Sequence, residues 1–421
     1  MSSSNQSNRE AKVKLHDPYA ALRFRDYRLF AIGYVSSMIG QQMQSVAIGW
    51  ELYERTNSAM VLGVVGLVQA LPIIVLTLPA GQVIDWFNRK HVVLMAELML
   101  AVSSIGLAVL SYTQGAISLI YACLLLSGVA RAFNQPAMAA LLPSLVPIKA
   151  FSNAVTWKSS GFQIASVVGP ALGGLVIGIL HSATLVYVVN VILAFTCFGF
   201  ISIISARQSA SSKSAVTLNS LAAGVNFVWQ TKVILAAITL DLFAVLLGGA
   251  TTLLPIFAKD ILHVGPTGLG WLRAAPAIGA FLMAVIIAHL PPMQRAGKTM
   301  LWAVAGFGVA TIVIGISHSF WLSLLMLMLT GAFDNISVVV RHTLVQLRTP
   351  DYMRGRVSAV NSVFIGTSNE LGGFESGLVA ALFGPVVSVV VGGIGTIAVV
   401  LAVAGVWPQI RQLRSLQDAS S

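Results

Sequence analysis

Residues Gly81–His91 read GQVIDWFNRKH, a short polar segment between two long apolar ones. Upstream, Val61–Ala80 has Gln69 as its only strongly polar member, and downstream apolar character resumes at Val92. About twenty residues at a helical rise of about 1.5 Å each cross a hydrocarbon core of about 30 Å. The segment is therefore expected to be a tight charged turn between two membrane-spanning helices, marked by Gly81, Asp85, Arg89 and Lys90. A plainer reading is a loop whose cations simply follow the preference of Lys and Arg for cytoplasmic ends.

Composition extends this reading to the whole chain. Of 421 residues 57% are hydrophobic and 9% charged, with a mean hydropathy of +0.85, whereas a soluble domain carries about 25% charged residues. An integral membrane protein is expected. The net charge of +11 does not indicate nucleic acid, because no soluble domain of useful size remains to carry a basic face. Cys123 and Cys197 both lie in apolar runs without metal-ligand spacing, so neither a metal nor a cofactor is expected. The first 29 residues are polar and basic and lack an apolar signal core. The expectation is no cleaved signal peptide.

Twelve apolar runs follow, six before and six after a polar break. They are Phe30–Tyr53, Ala59–Val83, Val92–Tyr112, Ile117–Ala137, Val155–Leu180 and Leu185–Ile204, then Val233–Phe257, Leu269–Leu290, Met300–Ile316, Phe320–Val340, Val357–Leu382 and Val386–Val406. The expected organisation is a tail over 1–29, a six-helix bundle over 30–205, a linker over 206–231 ending in a surface helix, a second bundle over 232–408 and a tail over 409–421. Of the 25 Lys and Arg residues, all but Arg55, Lys259 and Arg273 fall on the side of the termini. Both termini are accordingly expected to be cytoplasmic. Gly128–Pro147 and Gly331–Pro350 align at a constant offset of 203 residues, at matching places in the two halves. This predicts an internal duplication, with the halves related by an axis along the membrane normal.

The Gly81–His91 turn resembles the G-x-x-x-D-R-x-G-R-R/K loop of the major facilitator superfamily through Gly81, Asp85, Arg89 and Lys90, with Trp86 and Asn88 departing from the pattern. Phe24–Phe30 (FRDYRLF) and Arg341–Gly377 are similar to the branch containing bacterial enterobactin exporters and related secretion and efflux proteins. In the fifth span Gly169, Pro170, Gly173 and Gly174 resemble the GPxxGG signature of the superfamily's antiporters. The resemblance implies an all-α membrane protein of twelve transmembrane helices in two pseudo-symmetric six-helix bundles. It also implies transport by alternating access rather than an enzymatic reaction. On the residues alone, the GPxxGG stretch is either a bendable coupling element or ordinary small-residue packing.

Ionisable groups inside a membrane cost about 2.5–3.5 kcal/mol on insertion scales, so each is a functional candidate. Asp241, with no cation nearby in sequence, is the first choice for a carboxylate that alternately takes up and releases a proton. Glu370, Glu97 and Glu375 follow, each with a static helix contact as its alternative. Glu97 and Asp334 are expected to pair Arg131 or Arg341, and Glu51 to pair Arg55 at i, i+4. Gln41, Gln42, Gln44 and Ser45 suggest a cavity-lining face, Gln41 and Gln44 being named for substrate, and Arg273 is placed to meet an anion or a lipid headgroup.

The sequence contains no hydrolase, metalloprotease or nucleotide-binding motif. It therefore points to a secondary active transporter, a proton-coupled exporter of a small organic molecule such as a siderophore or drug-like compound. The expected setting is the bacterial inner membrane, as a multi-pass monomer whose partners are substrate, protons and lipid, with no nucleic acid. A lipid or lysophospholipid transporter or flippase of the same fold, and a non-transporting sensor, are the other classes left open.

Overall fold

The computed structural model describes residues 17–205, 218–291 and 293–413. The tail before 17, the low-complexity string of the linker and the tail after 413 lie outside the described residues.

The N-terminal half consists of α1 (Arg25–Thr56), α2 (Ala59–Trp86), α3 (Arg89–Tyr112), α4 (Ile117–Leu141), α5 (Ile148–Leu180) and α6 (Thr184–Ile203). The linker contributes α7 (Leu218–Gln230). The C-terminal half consists of α8 (Lys232–Leu247), α9 (Ala250–Ile256), α10 (Gly265–His289), α11 (Ala296–Ile316), α12 (Phe320–Arg348), α13 (Asp351–Phe383) and α14 (Pro385–Val406), followed by the short α15 (Pro408–Gln412). Among the described residues, ten helical segments, one of them running from α8 through α9, are long and apolar enough to cross a membrane. The other two spans, α1 and α13, are 32 and 33 residues long but carry the polar residues of the interior. Twelve transmembrane helices result.

Packing within each half repeats. In the first, α1 lies against α5 and α6, α2 against α4, and α3 against α4 and α6. In the second, α8 lies against α13 and α14, α10 against α12, and α11 against α12 and α14. Each contact maps onto its counterpart by moving six spans along the chain. The repeated glycines explain part of this agreement. A Cβ on Gly128 would lie 2.8 Å from the Gln69 carbonyl oxygen of α2, and one on Gly331 would collide with the Pro276 carbonyl oxygen of α10. The duplicated motif thus seats α4 on α2 and α12 on α10 through backbone contact.

The seventh span departs from the single run expected over Val233–Phe257. It breaks at Gly248–Gly249, resumes as α9 and ends in a π turn over Phe257–Ile261. Two glycines favour the helix little, and Pro255 withholds the amide that would bond one turn back. Irregular backbone at membrane depth persists where protein or a cavity surrounds it. Here α13 supplies that cover, with Gly372 and Ser376 against Gly249.

The halves meet along two seams, α5 with α10 and α2 with α13. Both seams are tight near the face opposite the termini, called the far face below. Gly63 of α2 packs on Gly377 of α13, and Gly174 of α5 on Gly270 of α10. Nearer the terminal face, a Cβ on Gly81 of α2 or on Gly355 or Gly366 of α13 would have no heavy atom within 4 Å. The two halves are closed on one another at the far face.

A side chain at Gly174 would have its Cβ 2.7 Å from the Gly270 Cα, a backbone atom that cannot swing aside. Gly174→Val is therefore expected to depopulate the far-face-closed arrangement. Spin labels at Ser182 and His318 in a cysteine-free background should report a longer main distance, and an unchanged distribution would refute the role of this seam.

Candidate substrate site and gates

Where the halves join, a cavity of about 300 Å³ is lined by Gln42 and Ser45 of α1, Gln69 of α2, Arg131 of α4, Arg273 of α10 and Asn369 and Glu370 of α13, with Thr251 and Thr252 of α9. The break in the seventh span delivers the two threonines. Arg131 donates to Gln69 Oε1 at 3.1 Å, and Arg273 donates to Ser45 Oγ at 2.7 Å across the interface between halves. Glu370 interacts electrostatically with both guanidiniums. Among the described residues, neither arginine forms an ion pair with it.

A second cavity, about 310 Å³, lies in the N-terminal half among Tyr34, Met38, Gln41, Arg131, Asn134, Gln135, Lys158 and Phe162. Arg131 belongs to both cavities, and Lys158 stands over the Tyr34 ring, 5.3 Å from its centroid. A third cavity of about 280 Å³, in the C-terminal half, contains Asp241, Asp334 and Arg341 and shares Thr251 and Asn369 with the central one. There Asp241 and Arg341 form a buried ion pair. A cation absent from Asp241's sequence neighbourhood is thus supplied by α12.

The expected pairings of Glu97 with Arg131 and Asp334 with Arg341 are corrected by this arrangement. Glu97 is fully buried and is held by neutral donors, Ser37 Oγ at 3.0 Å and Asn134 Nδ2 at 2.7 Å. Arg341 goes to Asp241 instead. Glu51 does pair Arg55, at 3.3 Å, and also accepts from Tyr187 Oη at 2.8 Å. Glu375 is half-buried beside Ser376. Gln41 lines the N-terminal cavity, while Gln44 turns into that half and bonds Ser104 at 2.8 Å and Asn190. On α1 the face turned to the central cavity holds Gln42 and Ser45, one helical turn apart.

The GPxxGG residues divide their contacts. Gly169 and Gly173 abut the backbone of α1 near Ile39 and Met43, whereas Gly174 and the Pro170 carbonyl abut Gly270 of α10. One short stretch therefore sets both the packing inside the N-terminal half and the seam between halves.

The charged turn is organised within its own half. Asn88 Oδ1 accepts from the Lys90 amide at 3.0 Å, capping α3. Arg89 donates to the Ala140 carbonyl at 3.1 Å, and Lys90 Nζ donates to the carbonyls of Ser202 and Ile204, both at 2.7 Å, at the negative end of α6. Asp85 is exposed, and no hydrogen bond or ion pair engages it among the described residues.

At the far face, residues not singled out from the sequence form a latch between halves. The Tyr53 hydroxyl of α1 donates to Asp260 in the π turn, and Lys259 lies over the same ring, 5.4 Å from its centroid. Lys259 Nζ also donates to Asn57 Oδ1 at 3.0 Å. Asn57 ends α1 in the left-handed region, at φ 47°, a conformation asparagine tolerates. Only the clustering of Tyr53, Glu54, Arg55, Lys259 and Asp260 at span ends hinted at this contact.

Tyr53→Phe keeps the ring and removes the hydroxyl. A hydrogen bond to a charged group contributes about 1.5–3 kcal/mol, so the variant should open the far face more often. A thiol reagent confined to that face should label a cysteine placed at Ser45 about tenfold or more faster, the low end of that range at about 1.4 kcal/mol per factor of ten. Equal labelling rates would show that the latch does not hold the closed state.

Residues 16–421 match the family described as transmembrane secretion effector. A multidrug efflux pump, Tap, of Mycolicibacterium fortuitum is 28% identical over 334 residues, 76% of this chain and 81% of its own length. The enterobactin exporter EntS of Citrobacter koseri is 24% identical over 381 residues, 90% of this chain and 91% of its own. In overall fold the chain is similar to a bacterial homologue of the human lysosomal transporter Spinster in an inward-facing, occupied conformation, with a TM-score of 0.72 at 12% identity over 94% of this chain and 99% of that one. The chain belongs to the transmembrane secretion effector family of major facilitator transporters.

Proposed function

We propose that the protein is a proton-coupled exporter of a small organic molecule, siderophore or drug-like, that works as a monomer in the bacterial cytoplasmic membrane with both termini inside. The observation that carries this reading is the central polar cavity at the junction of the halves, latched at the far face. With 22 of 25 cations on the terminal side (25 less Arg55, Lys259 and Arg273), that face is the cytoplasmic one. An exporter loads there. The printed activities of the two relatives, drug efflux and enterobactin export, support the same direction.

Release outward requires the far seams to part and the terminal ends to close. In the closed arrangement Asp85 meets the positive N-terminal end of α13 and its neighbouring cations, with Gly81, Arg89 and Lys90 shaping the turn. Gly169, Pro170, Gly173 and Gly174 allow α5 to bend as the seam with α10 opens. Asp241 is the coupling carboxylate: a proton taken from the exterior discharges it and frees Arg341, and loss of that pair alters the packing of α8 against α12. Glu370, between two guanidiniums in the central cavity, is the second candidate, ahead of Glu97 and Glu375.

Everted vesicles test this directly. A panel of fluorescent organic solutes, cationic and anionic, should include at least one accumulated only when an inward-acid proton gradient is imposed. Accumulation of none, or accumulation indifferent to the gradient, would remove the coupled-export reading. Asp241→Asn should abolish uphill accumulation while downhill exchange persists; uphill transport with unaltered pH dependence would make Asp241 structural. Asp85→Asn should slow turnover at normal membrane abundance, and a normal rate would exclude its gate role.

A further inference from the structure

We infer that the central cavity takes an organic anion, a flat or compact molecule bearing a carboxylate, sulfonate or phosphate that bridges Arg131 and Arg273. This deepens the export reading and rests on it for the identity of the cavity as the transport site.

The first observation is a surplus of donors. A guanidinium carries five N–H groups. Within the described residues Arg131 spends one on Gln69 and Arg273 one on Ser45. The Nε atoms of both are buried and have no partner. A buried donor left unmade is costly, about 1–3 kcal/mol and more when charged, and both guanidiniums also line the central cavity, where an acceptor could meet their remaining donors. Arginine's planar fork matches a carboxylate or phosphate with two parallel bonds.

The second observation is charge. Arg131 lines both the central and the N-terminal cavity, and the two linings together present Lys158, Arg131 and Arg273, against the single carboxylate of Glu370. Glu370 balances one guanidinium charge at a distance but pairs with neither. The three cations come from α5, α4 and α10. Lys158 and the rings of Tyr34 and Phe162 line the N-terminal cavity with Arg131, and Arg273 lines the central one. The acid excess lies elsewhere, with Asp241 and Asp334 in the C-terminal cavity. Cation-binding character and proton-binding character are thereby kept apart from the anion path.

The third observation is the position of Arg273 itself. Its bond to Ser45 spans the two halves, and Gly49 of α1 leaves room beside the guanidinium, since a Cβ there would lie 3.5 Å from Nη2. An anion held by Arg131 on one half and Arg273 on the other would therefore tie the halves together at the level of the cavity. Binding and conformational state would then be linked through the same two side chains.

Purified full-length protein in detergent, titrated with fluorescein and with a cationic rhodamine ethyl ester on the same xanthene ring, tests the inference by fluorescence anisotropy against empty micelles. Fluorescein should bind the more tightly. Arg131→Gln and Arg273→Gln should each weaken it by about tenfold or more, the loss of a charge-assisted bond. Glu370→Gln removes the competing carboxylate and should strengthen fluorescein binding severalfold, a gain that damage to folding cannot produce. Rhodamine binding as tightly as fluorescein would overturn the inference. So would arginine variants with unchanged affinity, or a Glu370→Gln variant that binds fluorescein no better than the native chain. Because this is equilibrium binding without a gradient, absence of proton-driven transport would leave it standing, and its own failure would leave export untouched.

Discussion

Hydrocarbon cannot solvate a guanidinium, and among the described residues three of them, Arg131, Arg273 and Arg341, line cavities inside the membrane-spanning helices. Each must find acceptors inside the protein or face a cavity. Arg341 is closed off by Asp241. The other two are only partly answered, by an amide, a hydroxyl and a shared distant carboxylate. That difference divides the interior into an ion pair in one half and an underfilled polar chamber between halves. Polar residues along α1 and α13, and the exposed threonines of the broken seventh span, follow from the need to wall that chamber with something other than hydrocarbon.

A chamber between two bodies can change sides only if the bodies touch through surfaces that separate cleanly. Glycine on backbone provides such a surface. Gly63 on Gly377 and Gly174 on Gly270 bring helix axes close without interlocking side chains, so dispersion contacts are gained in the closed state and nothing has to unthread when it opens. The polar latch of Tyr53, Asp260, Lys259 and Asn57 adds orientation at the rim. On the terminal side the charged turn carries its bonds within the N-terminal half, which leaves Asp85 unspent.

Much of this was legible in the chain. Span number, the turn at Gly81–His91, the duplicated Gly128 and Gly331 motifs and the crowded glycines of α5 depend on local pattern, which a sequence displays. Partners did not. Asp241 and Arg341 are a hundred positions apart, so nothing near Asp241 announced its cation. Gln44 was grouped with Gln41 as cavity-lining because an apolar helix gives no polar face to orient by, and only packing reveals that Gln42 and Ser45 look inward to the centre. Asp260 was not singled out, since an acid at a span end is usually solvated. The break at Gly248–Gly249 was masked by the unbroken hydropathy around it, although two glycines and Pro255 supply its cause.

The two halves share a scaffold yet use it differently, and the difference falls on repeat-related positions. Pro72 and Pro276 correspond on α2 and α10, as do Gly128 and Gly331 on α4 and α12. Counting three residues back from each proline gives Gln69 and Arg273; counting three on from each glycine gives Arg131 and Asp334. In the first half the cation is therefore on the fourth span and the neutral partner on the second. In the second half the cation has moved to the second span of the repeat, and the fourth bears an acid. Arg273 does not turn to Asp334 for a partner but reaches across to Ser45 of the opposite half. The exchange leaves Asp334 with Asp241 in the C-terminal cavity and concentrates positive charge at the interface. Symmetric packing supplies two bodies that can rock about a common centre, and this asymmetric placement of charge gives the C-terminal cavity two carboxylates to one guanidinium and the central cavity two guanidiniums to one carboxylate.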